Sequence, residues 1–102
     1  MSAYVIVDVA GIHDEQTYAR YRNEVSPGLL AAGGEYLARG GRLEVLEGDW
    51  RPSRIVLVRF SSMTAAREWW ASPEYAALKT LRQQSTRTNM VVVEGSGAGS
   101  QP

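Results

Sequence analysis

The segment Ala3-Tyr4-Val5-Ile6-Val7-Asp8-Val9 carries valine at each odd position from 5 to 9 and a mixed set, Tyr4, Ile6 and Asp8, at the even ones. Side chains alternate faces along an extended chain, and β-branched residues suit that geometry, so the pattern predicts a strand ending near Gly11. One face of this strand is wholly aliphatic and has to be covered. The other combines an aromatic ring, an aliphatic side chain and a carboxylate. The chain must therefore form a sheet with one face packed on a second layer.

The rest of the sequence supplies that layer. Tyr18, Tyr21, Val25 and Leu29 recur at helical spacing, with Asp14 placed to cap the start and Gly33-Gly34 to stop the end. Pro27 lies inside this helix, which predicts a kink near Val25 or Ser26. Glu35-Tyr36-Leu37-Ala38-Arg39 and Leu43-Glu44-Val45-Leu46-Glu47 read as two strand pieces around Gly40-Gly41, either a hairpin or one bent strand. Gly48-Asp49-Trp50-Arg51-Pro52 reads as a turn and Ile55-Val56-Leu57-Val58-Arg59-Phe60 as a further strand. Ser61 or Ser62 can cap a helix with Ala65, Ala66, Trp69 and Trp70, and Ser72-Pro73-Glu74 starts a second helical piece with Tyr75, Leu78 and Leu81 on its apolar face. Of two consecutive tryptophans only one can face the core. Met90-Val91-Val92-Val93-Glu94 is the last strand.

The resulting order is β-α-β-β-α-β, the ferredoxin-like α+β pattern of an antiparallel sheet with both helices on one face. Residues 1–95 form a single domain in this reading, and the Gly/Ser-rich residues 96–102 a flexible tail. A chain of 102 residues buries about 65% of its unfolded surface. The uncovered sheet face, with Ile6, Ile55, Leu57 and Val92, calls for a second copy, so a homodimer with a two-fold axis is expected.

Eleven basic against 11 acidic residues, a net charge of zero, exclude a whole-surface electrostatic partner such as nucleic acid or an anionic membrane. The absence of cysteine excludes disulfides, thiolate nucleophiles and thiolate metal sites. His13 is the single histidine, a solvated loop residue in this reading, and no metal site or cofactor is expected. With no apolar run long enough to span a bilayer and no signal-like N-terminus, a cytoplasmic location is expected.

Gly33 to Gly41 (GGEYLARGG), Glu44 to Trp50 (EVLEGDW), Arg59-Phe60-Ser61, Ser72-Pro73-Glu74-Tyr75 and Glu94-Gly95 together resemble the domain of unknown function 1330 family, in one register from residue 3 to 95. That family is similar in turn to the dimeric α+β barrel superfamily, in which two ferredoxin-like units enclose a barrel. Cofactor-independent quinone-forming monooxygenases, muconolactone isomerase, polyketide cyclases, haem-binding peroxidases and stress-response proteins share that fold. The resemblance implies a small-molecule pocket without choosing a chemistry.

In this sequence, the first and third strands are taken as neighbours running parallel. Asp8 and Arg59 then fall at the same strand ends on the open face, as a structural salt bridge or as a base and an anion holder. Met90, Val92 and Glu94 are expected on that open face, with Glu94 near Tyr4 as either a solvated carboxylate or half of an acid/base couple. Arg39 beside Gly40-Gly41 can present a cation to an anion, although bend and dimer-contact roles compete. Trp50 reads as an interface anchor or a cover over the barrel mouth, and Trp70 as packing or a pocket wall. The candidate catalytic residues are thus Asp8, Arg59 and Arg39, and the candidate substrate contacts Tyr4, Tyr36, Trp50, Trp70 and Glu94. Two functions follow: a cofactor-independent isomerase, cyclase or monooxygenase acting on a small anionic or aromatic substrate in the barrel pocket, or a non-catalytic structural or ligand-binding homodimer.

Overall fold

A computed structural model of the chain describes residues 1–96. The expected tail lies outside the described residues apart from Ser96. Strand β1 (Ala3–Ile12) leads into helix α1 (Glu15–Ala31), then β2 (Glu35–Arg39), β3 (Ile55–Phe60), α2 (Met63–Trp70), α3 (Pro73–Ser85) and β4 (Thr86–Glu94). The sheet order is β2-β3-β1-β4, with every neighbouring pair antiparallel. This is the ferredoxin-like arrangement, with the second helix broken in two. The extents of 43 × 37 × 17 Å are those of two layers, leaving one sheet face without a cover from its own chain.

The alternation read from β1 sets the layering. Ala3, Val5, Val7 and Val9 are buried against the helices, and Val5 stands opposite Val58 of β3 and Val92 of β4. Directly opposed residues share a face, so Val56, Val58 and Phe60 join the helix-side core as expected.

Two expectations are overturned by the same pairings. Strands β1 and β3 run antiparallel, because β3 inserts between the parallel β1 and β2, so Asp8 pairs with Ile55 and Arg59 with Tyr4. Asp8 and Arg59 are therefore four strand positions apart, roughly 13 Å. In β4, Val91 and Val93 occupy the open face at 58% and 48% exposure, while Met90, Val92 and Glu94 lie in the helix-side rows. A one-residue change of register exchanges the faces of every side chain in a strand, and the run of three valines in β4 does not itself specify a face. Glu94 does lie at the Tyr4 end of β1, opposite Ala3.

The helices start where the sequence indicates. Asp14 accepts from Thr17 N at 3.1 Å and Thr17 Oγ1 at 2.7 Å, and these bonds hold its carboxyl below the usual carboxylate range. Ser62 caps α2 through Ala65 N, and Ser72 caps α3 through Tyr75 N with Pro73 in the first turn. Helix α1 continues through Pro27 to Ala31. Trp69 is buried and Trp70 is 43% exposed. Residues 41–54 form neither helix nor strand, which corrects the second strand piece expected at Leu43–Glu47. They expose Leu43, Val45 and Leu46, the last at 96%.

Phe60 is 1% exposed, with its ring centroid 5.5 Å from that of Trp69, so Phe60→Ala is expected to lower the unfolding free energy in urea by about 3–5 kcal/mol. Ser72→Ala, which removes the α3 cap and the 2.7 Å hydrogen bond that Ser72 Oγ donates to Trp69 O, should cost about 1–2 kcal/mol in the same measurement.

Candidate functional site between the helices and the sheet

The expected site residues divide between the two faces of the sheet. On the open face, Asp8 Oδ2 accepts from the Trp50 indole at 3.1 Å, while its buried Oδ1 has no partner. Arg59 pairs with Glu35 on the neighbouring strand instead of Asp8. Glu94 is exposed and Tyr4 half-buried, with Gly95 against the tyrosine ring. Tyr36 and Arg39 lie on the helix side: the Arg39 guanidinium stacks 4.4 Å from the Tyr36 ring centroid and donates to Arg22 O at 2.7 Å. Trp70 sits at the α2–α3 junction with Lys79 Nζ 3.6 Å from its ring centroid. These residues do not assemble into one constellation.

A different set converges on the helix side. An inner cavity of about 40 Å³ lies between α1 and the sheet, and an outer cleft of about 410 Å³ opens between α2, α3 and β4. Val5, Trp69, Arg82 and Met90 line both. The cleft volume is that of a small-molecule pocket, and Trp70, Met90 and Val92 give it apolar walls.

Arg67, Arg82, Gln83 and Thr88 are its polar groups, and of these Arg82 is buried. It is 5% exposed and forms no ion pair among the described residues. Its Nε points to the Tyr75 hydroxyl at a long 3.4 Å, and Tyr75 and Tyr21 share a hydrogen bond of 2.7 Å. Trp69 packs against Tyr75 with ring centroids 4.2 Å apart, tying the phenol pair to the core. Burial, reinforced by the adjacent Tyr75, pushes the Tyr21 phenol well above its usual 10.0, with Arg82 acting in the opposite direction. Tyr21 therefore stays protonated. A buried guanidinium held by neutral groups is costly unless an anion joins it, so this arrangement can bind a negatively charged oxygen.

A second guanidinium reaches the inner cavity from the start of β3. Arg54 Nε donates to the Tyr18 hydroxyl at 2.9 Å, and the guanidinium lies against Gly40. Gly40 has φ +71°, and a Cβ there would overlap Arg54. The Arg39-Gly40-Gly41 motif is explained in part by this close approach. His13 Nε2 lies 2.7 Å from Gln84 O, and among the described residues no group of three His, Asp or Glu side chains could hold a metal ion.

Arg82 was visible in principle, because it follows Tyr75 and Leu78 at seven and four residues on the apolar stripe of α3. No local pattern marks Arg54.

The family model for the domain of unknown function DUF1330 matches residues 2–96. The chain belongs to the DUF1330 family. No curated protein matches this DUF1330 chain. It is similar in structure to RPA0582, a protein of unknown function from Rhodopseudomonas palustris, at 17% identity and a TM-score of 0.76, covering 94% of this chain and 83% of that one. A dimeric ferredoxin-like protein of unknown function from Jannaschia sp. is similar at 17% identity and a TM-score of 0.69, covering 93% and 100%. SnoaB, a cofactor-independent oxygenase from Streptomyces nogalater, is similar at 8% identity and a TM-score of 0.64, covering 94% of each chain. At these identities the likeness is one of fold.

Because the folded state keeps Tyr21 protonated while the unfolded chain ionises near 10.0, this group's contribution to stability is full below that pH and is lost as pH rises through and beyond it. Alkaline unfolding curves should accordingly show a smaller pH-dependent loss in Tyr21→Phe, with about 0.5–1.5 kcal/mol lost at neutral pH from the missing hydrogen bond. Gly40→Ala should cost about 1–2 kcal/mol from the left-handed backbone alone and displace Arg54, read by calorimetry and by the Arg54 Nε–H resonance.

Proposed function

We propose that this DUF1330 protein is a homodimer in which each subunit binds a small, largely aromatic molecule in the cleft between α2, α3 and β4, with an anionic oxygen on Arg82. The observation that carries this reading is the buried Arg82, without an ion pair among the described residues, at the junction of the cleft and the inner cavity. Its planar fork suits a phenolate, enolate or carboxylate, and Trp69 and Trp70 line the cleft beside it.

The cleft is lined by no Asp, Glu or His among the described residues. It therefore offers no ordinary general base, and a neutral phenol such as Tyr21 does not substitute for one. A substrate acidic enough to ionise once Arg82 stabilises its anion fits this chemistry. Phenols and enolised diketones are of that kind, which supports cofactor-independent enzymology of the oxygenase or isomerase type and agrees with the activity named for SnoaB. The missing base is also the specific feature that favours a second reading, a dimer that binds such a molecule without converting it.

Dimerisation is supported by the apolar open face, where Leu37, Val91 and Val93 are exposed, and by the exposed Leu43, Val45 and Leu46 of the 41–54 segment. The named dimeric state of the Jannaschia protein agrees with it.

Native mass spectrometry of the purified protein, alone and with 1-naphthol or 2-naphthol, tests both parts. A dimer that retains naphthol, with affinity reduced about tenfold or more in Arg82→Gln as expected for a lost charge-assisted hydrogen bond, supports the proposal. A monomer, or undiminished binding in a folded Arg82→Gln protein, contradicts it. Turnover of the bound naphthol separates the enzyme from the binding dimer.

A further inference from the structure

We propose that the β2–β3 end of the inner cavity is a second binding site, for a small oxyanion, built on Arg39 and Arg54 rather than on Arg82, which lines the same cavity where it meets the cleft. Arg22, Arg39, Arg54 and Arg82 all line this cavity, and no Asp or Glu does so among the described residues. Neither Arg39 nor Arg54 forms an ion pair among those residues. The chain has as many acidic as basic side chains, so the local excess of cations is a matter of placement.

Both guanidiniums are held in position by groups that leave their charge uncompensated. Arg39 stacks on the Tyr36 ring and donates to Arg22 O, while Arg54 donates to the Tyr18 hydroxyl. A ring face, a peptide carbonyl and a phenol oxygen orient the forks without neutralising them, and each fork has further N–H groups to offer. Tyr18 is 3% exposed, and because its oxygen accepts from Arg54 its own hydroxyl proton remains available as a donor. Gly40 completes the arrangement: only a residue without Cβ leaves room for Arg54 at this turn.

The size of the cavity selects the ligand. At about 40 Å³ it holds roughly three water molecules, which is the size of a carboxylate or phosphoryl group and too small for an aromatic ring. The ligand is therefore an oxyanion, free or carried on a larger molecule that remains outside.

Amide and arginine Nε resonances of the isotope-labelled full chain, followed during titration with sodium phosphate and separately with sodium acetate at ionic strength held constant with chloride, test the proposal. Saturable shifts centred on Arg39, Gly40, Gly41 and Arg54, weakened at least tenfold in Arg54→Gln, are expected. Arg39→Gln serves the same purpose should Arg54→Gln fail to fold. Saturation by phosphate alone identifies a phosphoryl ligand and saturation by acetate a carboxylate, each within the proposal. Shifts that do not saturate with either anion, or that are unchanged in the folded variants, overturn it. Naphthol retention at Arg82 is unaffected by that outcome, so the two sites fail separately.

Discussion

The pairing of β1 with an antiparallel neighbour on each side is the constraint on which the structure rests. Because Val5 is opposite both Val58 and Val92, three strands contribute to one aliphatic surface beneath the helices. Burying such side chains stabilises by roughly 1.5–3 kcal/mol each, and a slip of one residue in any strand would turn its share toward solvent. The same pairing commits Tyr4, Ile6 and Asp8 to the opposite face. The proposed ligand sites and the proposed dimer surface thereby fall on different sides of one sheet.

Charge follows this division. On the open face, cations and carboxylates meet or are capped: Arg59 with Glu35, and Asp8 under the Trp50 indole. Between the layers the polar groups are phenols and guanidiniums, with Tyr18 beside Arg54, Tyr36 beneath Arg39, and Tyr75 between Tyr21 and Arg82. Phenols can tether arginine without cancelling its charge, so these guanidiniums are left without an ion pair among the described residues. This distinguishes the interior from a buried salt bridge, in which most of the electrostatic demand is already met.

Much of the fold was legible because it follows from local chemistry. The valine alternation of β1, the Asp14, Ser62 and Ser72 caps, and the split of buried Trp69 from exposed Trp70 each depend on a few adjacent residues. What is not legible in the sequence depends on relations between distant segments. The Asp8–Arg59 pairing failed on the direction of β3, and the face of Glu94 on the register of β4, where three consecutive valines conceal the alternation. The segment 41–54 has the apolar content of a strand but forms none within its own chain, and exposed Leu46 has nothing to pack on there. Arg82 does not stand out in the sequence because a charged residue on an apolar helix stripe ordinarily faces solvent.

Ligand entry on the helix side of the sheet is proposed from this arrangement. A crystal structure of the protein grown with salicylate, an aromatic acid with two adjacent oxygens, tests it most directly. The expected result is salicylate between the helices and the sheet, with an oxygen within hydrogen-bonding distance of the Arg82 or Arg54 guanidinium. Salicylate bound on the open sheet face, against Asp8, Trp50 or Arg59, with the arginine-lined interior left without it, would contradict the claim.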